Sequence, residues 1–156
     1  MTSGRTVVAT TTGLGLAALA HALLTWPPRA TIALFVGGAT LAFLGEAIVV
    51  ALGWLEHHVG PKVAGVPLYV LFGWTAVSYV TVRIALIVTG GWAIVPIAET
   101  LATAYDVLAD NRGVEEGHWT YTDDLRGPRH GDVPWWNYAG WFAISGAIAG
   151  VVVAVL

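Results

Sequence analysis

The stretch that decides the fold is ATIALFVGGATLAFLGEAIVVALGWL, residues 30–55. A helix needs about 20 predominantly apolar residues to cross the hydrocarbon core of a bilayer. This stretch exceeds that length, and Glu46 is its single ionisable residue. The sequence therefore predicts a transmembrane helix here, with one carboxyl group inside it.

Other apolar stretches of suitable length flank this one at residues 7–26, 66–88, 92–109 and 135–156. The chain after the first of them lacks the small-residue site of a cleavable signal peptide, so we interpret it as a span. Charged residues make up 11% of the chain, against about 25% in soluble domains. We therefore predict an all-α, polytopic membrane helix bundle of about five transmembrane helices. It forms a single transmembrane domain over residues 1–156, in which no internal repeat is evident.

The basic residues predict the orientation of the bundle, because cytoplasmic loops carry an excess of Lys and Arg. A cytoplasmic N-terminus places only Arg29 outside and puts five basic residues inside. These five are Arg5, Lys62, Arg112, Arg126 and Arg129. The one long loop, residues 110–134, is then cytoplasmic. The sequence predicts a multi-pass protein of the cell membrane with its N-terminus in the cytoplasm.

Several classes of site are excluded by composition and spacing. The chain has no cysteine, which rules out disulfides, thiolate metal sites and cysteine nucleophiles. Its seven basic residues are scattered, so nothing indicates nucleic-acid binding. Histidines at metal-ligand spacing on one helix face and nucleotide-binding glycine motifs are both missing. We therefore predict no metal and no cofactor.

The stretch at 92–109 carries a polar stripe. Its members fall within an arc of about 80° at 100° per residue. They are Trp92, Pro96, Glu99, Thr103, Asp106 and Asp110. The opposite face is apolar and carries Ile94, Ile97, Leu101 and Leu108. Because lipid cannot lie against the stripe, we expect it to face the interior of the bundle.

We expect Glu46 of the second span to lie beside this stripe, and His57 shares the helical face of Glu46. Carboxyl groups that share a site of low dielectric cannot all ionise, so one should stay protonated and act as a proton donor. Arg83, with Tyr79 one turn away, is a candidate counter-ion. An alternative is that Glu46, Arg83 and Asp106 form only a buried ion-pair network. Asp110 is alternatively the end of a helix at the membrane interface.

Three stretches carry a family resemblance. The first is Gly45-Glu46, and the second is VGPKVAGVPL at 59–68, followed by a span with Trp74 and Tyr79. The third and most specific comprises TAYDVLAD at 103–110, EGHWTY at 116–121 and GDVPWWNYAGWF at 131–142. The chain resembles the membrane carotenoid biosynthesis proteins that include bisanhydrobacterioruberin hydratase and related carotenoid 1,2-hydratases.

The resemblance implies hydration of the terminal isoprenoid double bond of a long polyene by carboxylic-acid protonation and water addition. The candidate catalytic residues are Asp106, Glu46, Glu99 and Asp110. The candidate substrate-binding residues are Trp119, Trp135, Asn137, Trp141, Tyr79 and Arg83. The expected partners are a lipid-soluble carotenoid and the lipid bilayer, and a second copy of the chain or another enzyme of the pathway also fits.

Two other functions are compatible with the sequence. A non-catalytic carotenoid-binding or accessory membrane subunit would use the same cavity without turnover. A small proton-coupled transporter would explain carboxyl groups within the membrane. Five spans without an inverted repeat argue against the transporter.

Overall fold

The computed structural model describes residues 3–156, and five of its helices are long and apolar enough to cross a membrane. Helix α1 spans Gly4–Thr25 and α3 spans Leu68–Val88. Helix α2 spans Pro28–Ala51, with a π-helical segment at Ala33–Gly38. Helix α4 spans Ile94–Glu115 after a 3₁₀ turn at Gly91–Ala93, and α5 spans Trp135–Val153. The predicted all-α polytopic membrane bundle is confirmed.

Short strands occupy the two loops at one end of the bundle. They are β1 Leu55–His57, β2 Lys62–Val63, β3 Val66–Pro67, β4 Trp119–Tyr121, β5 Arg129–His130 and β6 Val133–Pro134. β2 pairs with β3 and β5 pairs with β6, while β1 pairs antiparallel with β4 and so joins the two loops. These six strands were not predicted, because each is only two or three residues long.

The boundary of the long loop also differs from the prediction. Helix α4 continues through Asp110 to Glu115, so the loop begins six residues later than expected, at 116 rather than 110 (116 − 110 = 6). Asp110 is buried more than a turn before the end of the helix. It is therefore not an interfacial helix end.

The chain contains an internal duplication, so the expectation of no internal repeat is wrong. The unit α2–β1–β2–β3–α3 recurs as α4–β4–β5–β6–α5 with the same order of elements. Lys62 pairs with Pro67 in the first hairpin, and Arg129 pairs with Pro134 at the same register in the second. Each following helix begins directly after the Val-Pro pair that closes its hairpin.

Backbone details of the two units agree as well. Gly53 and Gly117 each follow the helix end with positive φ, at 71° and 74°. The amide of Leu68 donates to the carbonyl of Pro61 at 3.0 Å, and the amide of Trp135 donates to that of Pro128 at 3.0 Å. The hairpin sequences agree too, because Gly-Pro-Lys at 60–62 and Gly-Pro-Arg at 127–129 each precede Val-Pro by three residues.

Both units cross the bundle in the same direction, unlike the inverted repeats of many transporters. Helices α2 and α4 run toward the strand end, and α3 and α5 run away from it. The start of α1 lies at the strand end too, because Gly4 packs beside Val59. At the opposite end, Arg29 Nη2 donates to the Leu156 carbonyl at 3.2 Å.

Candidate active site

Two carboxyl groups of α4, one turn apart, form the centre of the site. Asp106 and Asp110 are buried, with exposed fractions of 4% and 7%. Asn137 of α5 joins them, because its Nδ2 donates to Asp106 Oδ2 at 2.8 Å and lies 3.4 Å from Asp110 Oδ2. Tyr121 of β4 donates its hydroxyl proton to Asp110 Oδ2 at 2.7 Å. Asp110 therefore accepts more hydrogen bonds than Asp106 does.

Tyr121 remains a proton donor over a wide pH range. Its burial, with the charges of Asp110 and Asp106 beside it, raises the pKa of its phenol well above the usual value. A neutral phenol therefore faces Asp110 at any physiological pH.

Glu46 of α2 is held by two donors. Trp74 Nε1 of α3 donates to its Oε1 at 2.9 Å, and His57 Nε2 of β1 donates to its Oε2 at 3.0 Å. Both donors are buried, His57 at 4% and Trp74 at 3% exposed. Helix α2 ends at Ala51, so His57 does not share a helical face with Glu46. The chain turns back after the helix and brings the imidazole to the carboxyl group.

The duplication makes these two acids equivalent. His57 lies eleven residues after Glu46 and Tyr121 lies eleven residues after Asp110, and each bonds its acid from a strand. The two strands pair with each other, with Glu56 opposite Thr120. The equivalent Trp74 and Trp141 stack directly, with centroids 3.7 Å apart and planes 13° apart. The site is thus built around an approximate twofold axis through the strand pair and the tryptophan stack.

A cavity of about 280 Å³ lies between α1, α3 and α4 and contains these groups. Its polar wall holds both aspartates, Glu46, His57 and Tyr121, and its apolar walls include Val7, Val70 and Val77. Helices α1 and α4 pack on two sides of α3 and scarcely contact each other. The cavity wall at this gap includes Thr10 and the half-exposed Tyr105. The cavity therefore opens at the side of the bundle, between α1 and α4.

A second cavity of about 150 Å³ lies between α2 and α5 and shares Glu46, Leu55, Trp74, Asn137 and Trp141 with the first. It is the counterpart of the larger cavity under the duplication. Trp54 and Trp136 line it, where His118 and Tyr69 line the larger one. The tryptophan stack forms the wall between the two.

The structure brings six of the ten predicted site residues together at the larger cavity. They are Glu46, Asp106, Asp110, Trp119, Asn137 and Trp141. Trp119 and Trp141 contribute ring surface to the cavity wall. Asn137, predicted to bind substrate, donates hydrogen bonds to the two aspartates.

The other four lie outside the cavity. Tyr79 and Arg83 belong to a cluster farther along α3, where Tyr79 contacts His21 at 2.6 Å and Arg83 lies 5.9 Å from the Trp26 ring centroid. No carboxylate within residues 3–156 pairs with Arg83. The alternative that Glu46, Arg83 and Asp106 form a buried ion-pair network is therefore wrong.

Glu99 and Trp135 are also displaced from the cavity. The Glu99 carboxylate lies against Gly146 of α5, at the contact between α4 and α5. Trp135 is half exposed, and its indole covers Gly127 in the loop. Glu99 is a helix-contact residue, and Trp135 lies beside the loop at the start of α5.

The predicted interior position of the polar stripe of α4 is correct from Glu99 onward but wrong at its start. Asp106 and Asp110 are buried, whereas Trp92 is 67% exposed. Ile94, assigned to the lipid face, is 2% exposed. Small side chains let α4 approach α5 and α3 closely, so the buried line continues from Ile94 through Ala98 and Ala102 to the acids.

Sequence reasoning gave no site role to His57, Trp74 and Tyr121. Trp74 had a usable signal, because an indole in the middle of a span needs an acceptor for its N–H. Tyr121 had none within its own loop, since its position depends on the pairing of β1 with β4. Helical spacing suggested His57 as a neighbour of Glu46, but the helix ends before His57, so that spacing is not the cause of their contact. Within residues 3–156, no group of three or more His, Asp or Glu side chains is arranged to hold a metal ion.

A family model described as "Carotenoid biosynthesis protein" matches residues 6–156. The match includes all five helices and every residue of the site. No curated protein and no solved structure matches the chain.

Proposed function

The chain belongs to the carotenoid biosynthesis protein family, and from that premise we propose that it hydrates the terminal double bond of a long isoprenoid polyene. The observation that carries the proposal is the pair Asp106 and Asp110, buried beside stacked tryptophans in a cavity that opens at the side of the bundle. Acid, aromatic surface and lateral access are the three things that such a reaction needs.

The size of the cavity supports a substrate that enters only by one end. At about 280 Å³, it lies at the lower limit of ligand pockets, which span about 300–1,000 Å³. A long polyene cannot fit inside, but its terminal isoprenoid unit can. The remainder of the chain would pass between α1 and α4 and stay in the hydrocarbon region of the bilayer.

Asp106 is the proposed proton donor. A carboxylate is stabilised by the hydrogen bonds it accepts, and Asp110 accepts a short one from Tyr121 that Asp106 lacks. Of the two adjacent groups, Asp110 is thus better suited to hold the negative charge and Asp106 to hold the proton. The proton of Asp106 goes to the less substituted alkene carbon, and the positive charge develops on the tertiary carbon.

The surroundings suit that cation. Trp74 and Trp141 line the cavity, and an aromatic face attracts a cation within about 6 Å. The Glu46 carboxylate, fixed by two donors, adds a preorganised negative charge. Both features favour the charged intermediate over the neutral polyene.

In the proposed orientation, the N-terminus and the loop at 116–134 lie in the cytoplasm. The strand end of the bundle is then the cytoplasmic end, and the acids lie on its membrane side. Water would reach the acids from the cytoplasm while the polyene arrives from the lipid. The basic residues of the loops support this orientation.

The direct test is expression in a host that makes an unhydrated polyene, followed by mass analysis of the pigments. We expect a product heavier by one water, which carries the label when cells grow in ¹⁸O-water. Pigment that copurifies with the protein but never gains water would contradict hydration and favour the accessory-subunit function. A product that appears only with a second pathway enzyme would identify that enzyme as a required partner.

A further inference from the structure

We propose that His57 is the general base that takes a proton from the attacking water, an inference that rests on the proposed hydration. Protonation of the alkene supplies only half of the reaction. The water oxygen that bonds to the tertiary carbon must also lose a proton, and a positioned base makes that step faster.

The geometry leaves one imidazole nitrogen available for this role. His57 Nε2 donates to Glu46 Oε2 at 3.0 Å, so Nδ1 carries the lone pair in the neutral ring. Nδ1 is buried and has no hydrogen-bond partner within residues 3–156. A buried polar atom without a partner is costly, and His57 lines the cavity that holds both aspartates.

The ring is also fixed in orientation. Glu46 holds it from one side, and Trp74 holds Glu46 in turn through its indole N–H. The backbone carbonyl of His57 accepts a hydrogen bond from Lys62 Nζ. Glu46 is therefore a positioning residue for His57, as a carboxylate that fixes the tautomer of a catalytic imidazole.

The duplication shows what is special about position 57. Its equivalent, Tyr121, bonds its acid in the same way, from the paired strand. A phenol has a single polar atom, and Tyr121 uses it on Asp110. An imidazole has two, so after bonding Glu46 it keeps a second one, which no residue within 3–156 bonds. One half of the site thus holds the acid, and the other half holds the base.

The proposed steps balance. The Asp106 O–H gives its proton to the alkene, whose π electrons form the new C–H bond. A lone pair of water forms the C–O bond at the tertiary carbon, and the proton released by that water passes to His57 Nδ1. Return of this proton to the Asp106 carboxylate, by way of solvent, restores both groups. The net change is alkene plus water to tertiary alcohol.

The test separates protonation from water addition. The full chain in lipid vesicles is given an unhydrated polyene in D₂O. Protonation by Asp106 then places deuterium on the alkene carbon, and loss of a neighbouring proton returns a labelled, unhydrated polyene. His57→Gln keeps an N–H for Glu46 but removes the base. We expect it to lower hydration about 100-fold or more while deuterium still enters the polyene.

His58→Gln is the matched control, since His58 is the exposed neighbour that contacts Thr120, and it should hydrate as the unmutated protein does. Glu46→Gln should shift the ratio of hydration to deuterium uptake in the same direction, but less. If His57→Gln loses hydration and deuterium uptake in parallel, or hydrates within a few-fold of normal, His57 is not the base. If the unmutated protein shows neither signal, the proposed hydration itself is wrong.

Discussion

At Asp106 the shape of the side chain and its transferable proton can be separated by one substitution. Asp106→Asn keeps an oxygen that accepts from Asn137, so we expect the protein to insert and bind polyene. Hydration should fall by about two orders of magnitude or more, in line with general-acid contributions. Mass analysis of the pigments measures hydration, and the amount of copurified pigment measures polyene binding.

The matched control for this substitution is Asp132→Asn, an exposed carboxylate in the loop. It should leave both hydration and pigment binding unchanged. Full hydration by Asp106→Asn would pass the donor role to Asp110 or Glu46.

At the same scale, the sequence predicted the three acidic residues of the site but not their hydrogen-bond partners. Glu46, Asp106 and Asp110 were recognisable because an ionisable group within a span is costly and demands a reason. The link from Asp110 to Tyr121 depends on a strand pair that no local pattern indicates. His57 was expected near Glu46 through helical spacing, and the structure brings it there by a turn of the chain instead.

At the scale of elements, the last turn of α4 depends on the absence of a side chain at Gly113. A Cβ there would lie 1.9 Å from Trp119 Cζ2. Glycine to alanine inside a helix ordinarily stabilises it by roughly 0.5–1 kcal/mol. We expect the reverse for Gly113→Ala, a loss of about 1–3 kcal/mol from overpacking, with displacement of Trp119 and lower hydration.

Thermal unfolding in detergent measures this effect. Gly13→Ala is the control, because a Cβ added there would meet no atom within 4 Å apart from its chain neighbours and its own helix backbone, and it should be neutral or slightly stabilising. Equal stability of the two variants would mean that Trp119 moves aside at no cost.

The gap between α1 and α4 is the proposed entrance for the polyene, and the chain's lack of cysteine makes it testable. Thr10→Cys with Tyr105→Cys places one thiol on each side of the gap. We expect a bifunctional thiol reagent to abolish hydration in this double variant, because the joined helices no longer admit the chain. Activity before and after treatment is the measurement.

A second pair distinguishes the two gaps. Val49→Cys with Ile144→Cys lies across the smaller cavity between α2 and α5, and cross-linking there should leave hydration intact. The opposite result would assign the entrance to the smaller cavity.

At the scale of the whole molecule, the orientation in the membrane is open to the same chemistry. A single cysteine at Asp124, in the loop at 116–134, should resist an impermeant thiol reagent in intact cells and react after lysis. A cysteine at Gly90, at the opposite end of the bundle, should react in intact cells. Ready labelling at position 124 in intact cells would reverse the orientation.

The five helices were predictable at this scale because hydropathy reports directly on burial in lipid. The duplication was missed, because the residues that its units share form short motifs in the loops and at the starts of helices. They are Gly-Pro followed by a basic residue, at 60–62 and 127–129, Val-Pro before each helix, and Gly-Trp within it, at Trp74 and Trp141. Two tight turns and a strand pair, rather than a repeated apolar pattern, define the unit.

The hydrogen bonds of the site all run forward along the chain, which has a consequence for biosynthesis. Glu46 is bonded by His57 and Trp74, and the two aspartates by Tyr121 and Asn137. Because the ribosome delivers N-terminal segments first, each acid reaches the translocon before its partners do. A lone ionised group at mid-membrane costs roughly 2.5–3.5 kcal/mol. The carboxyl groups of the nascent α2 and α4 therefore lack their hydrogen-bond donors until the segments that follow these helices emerge.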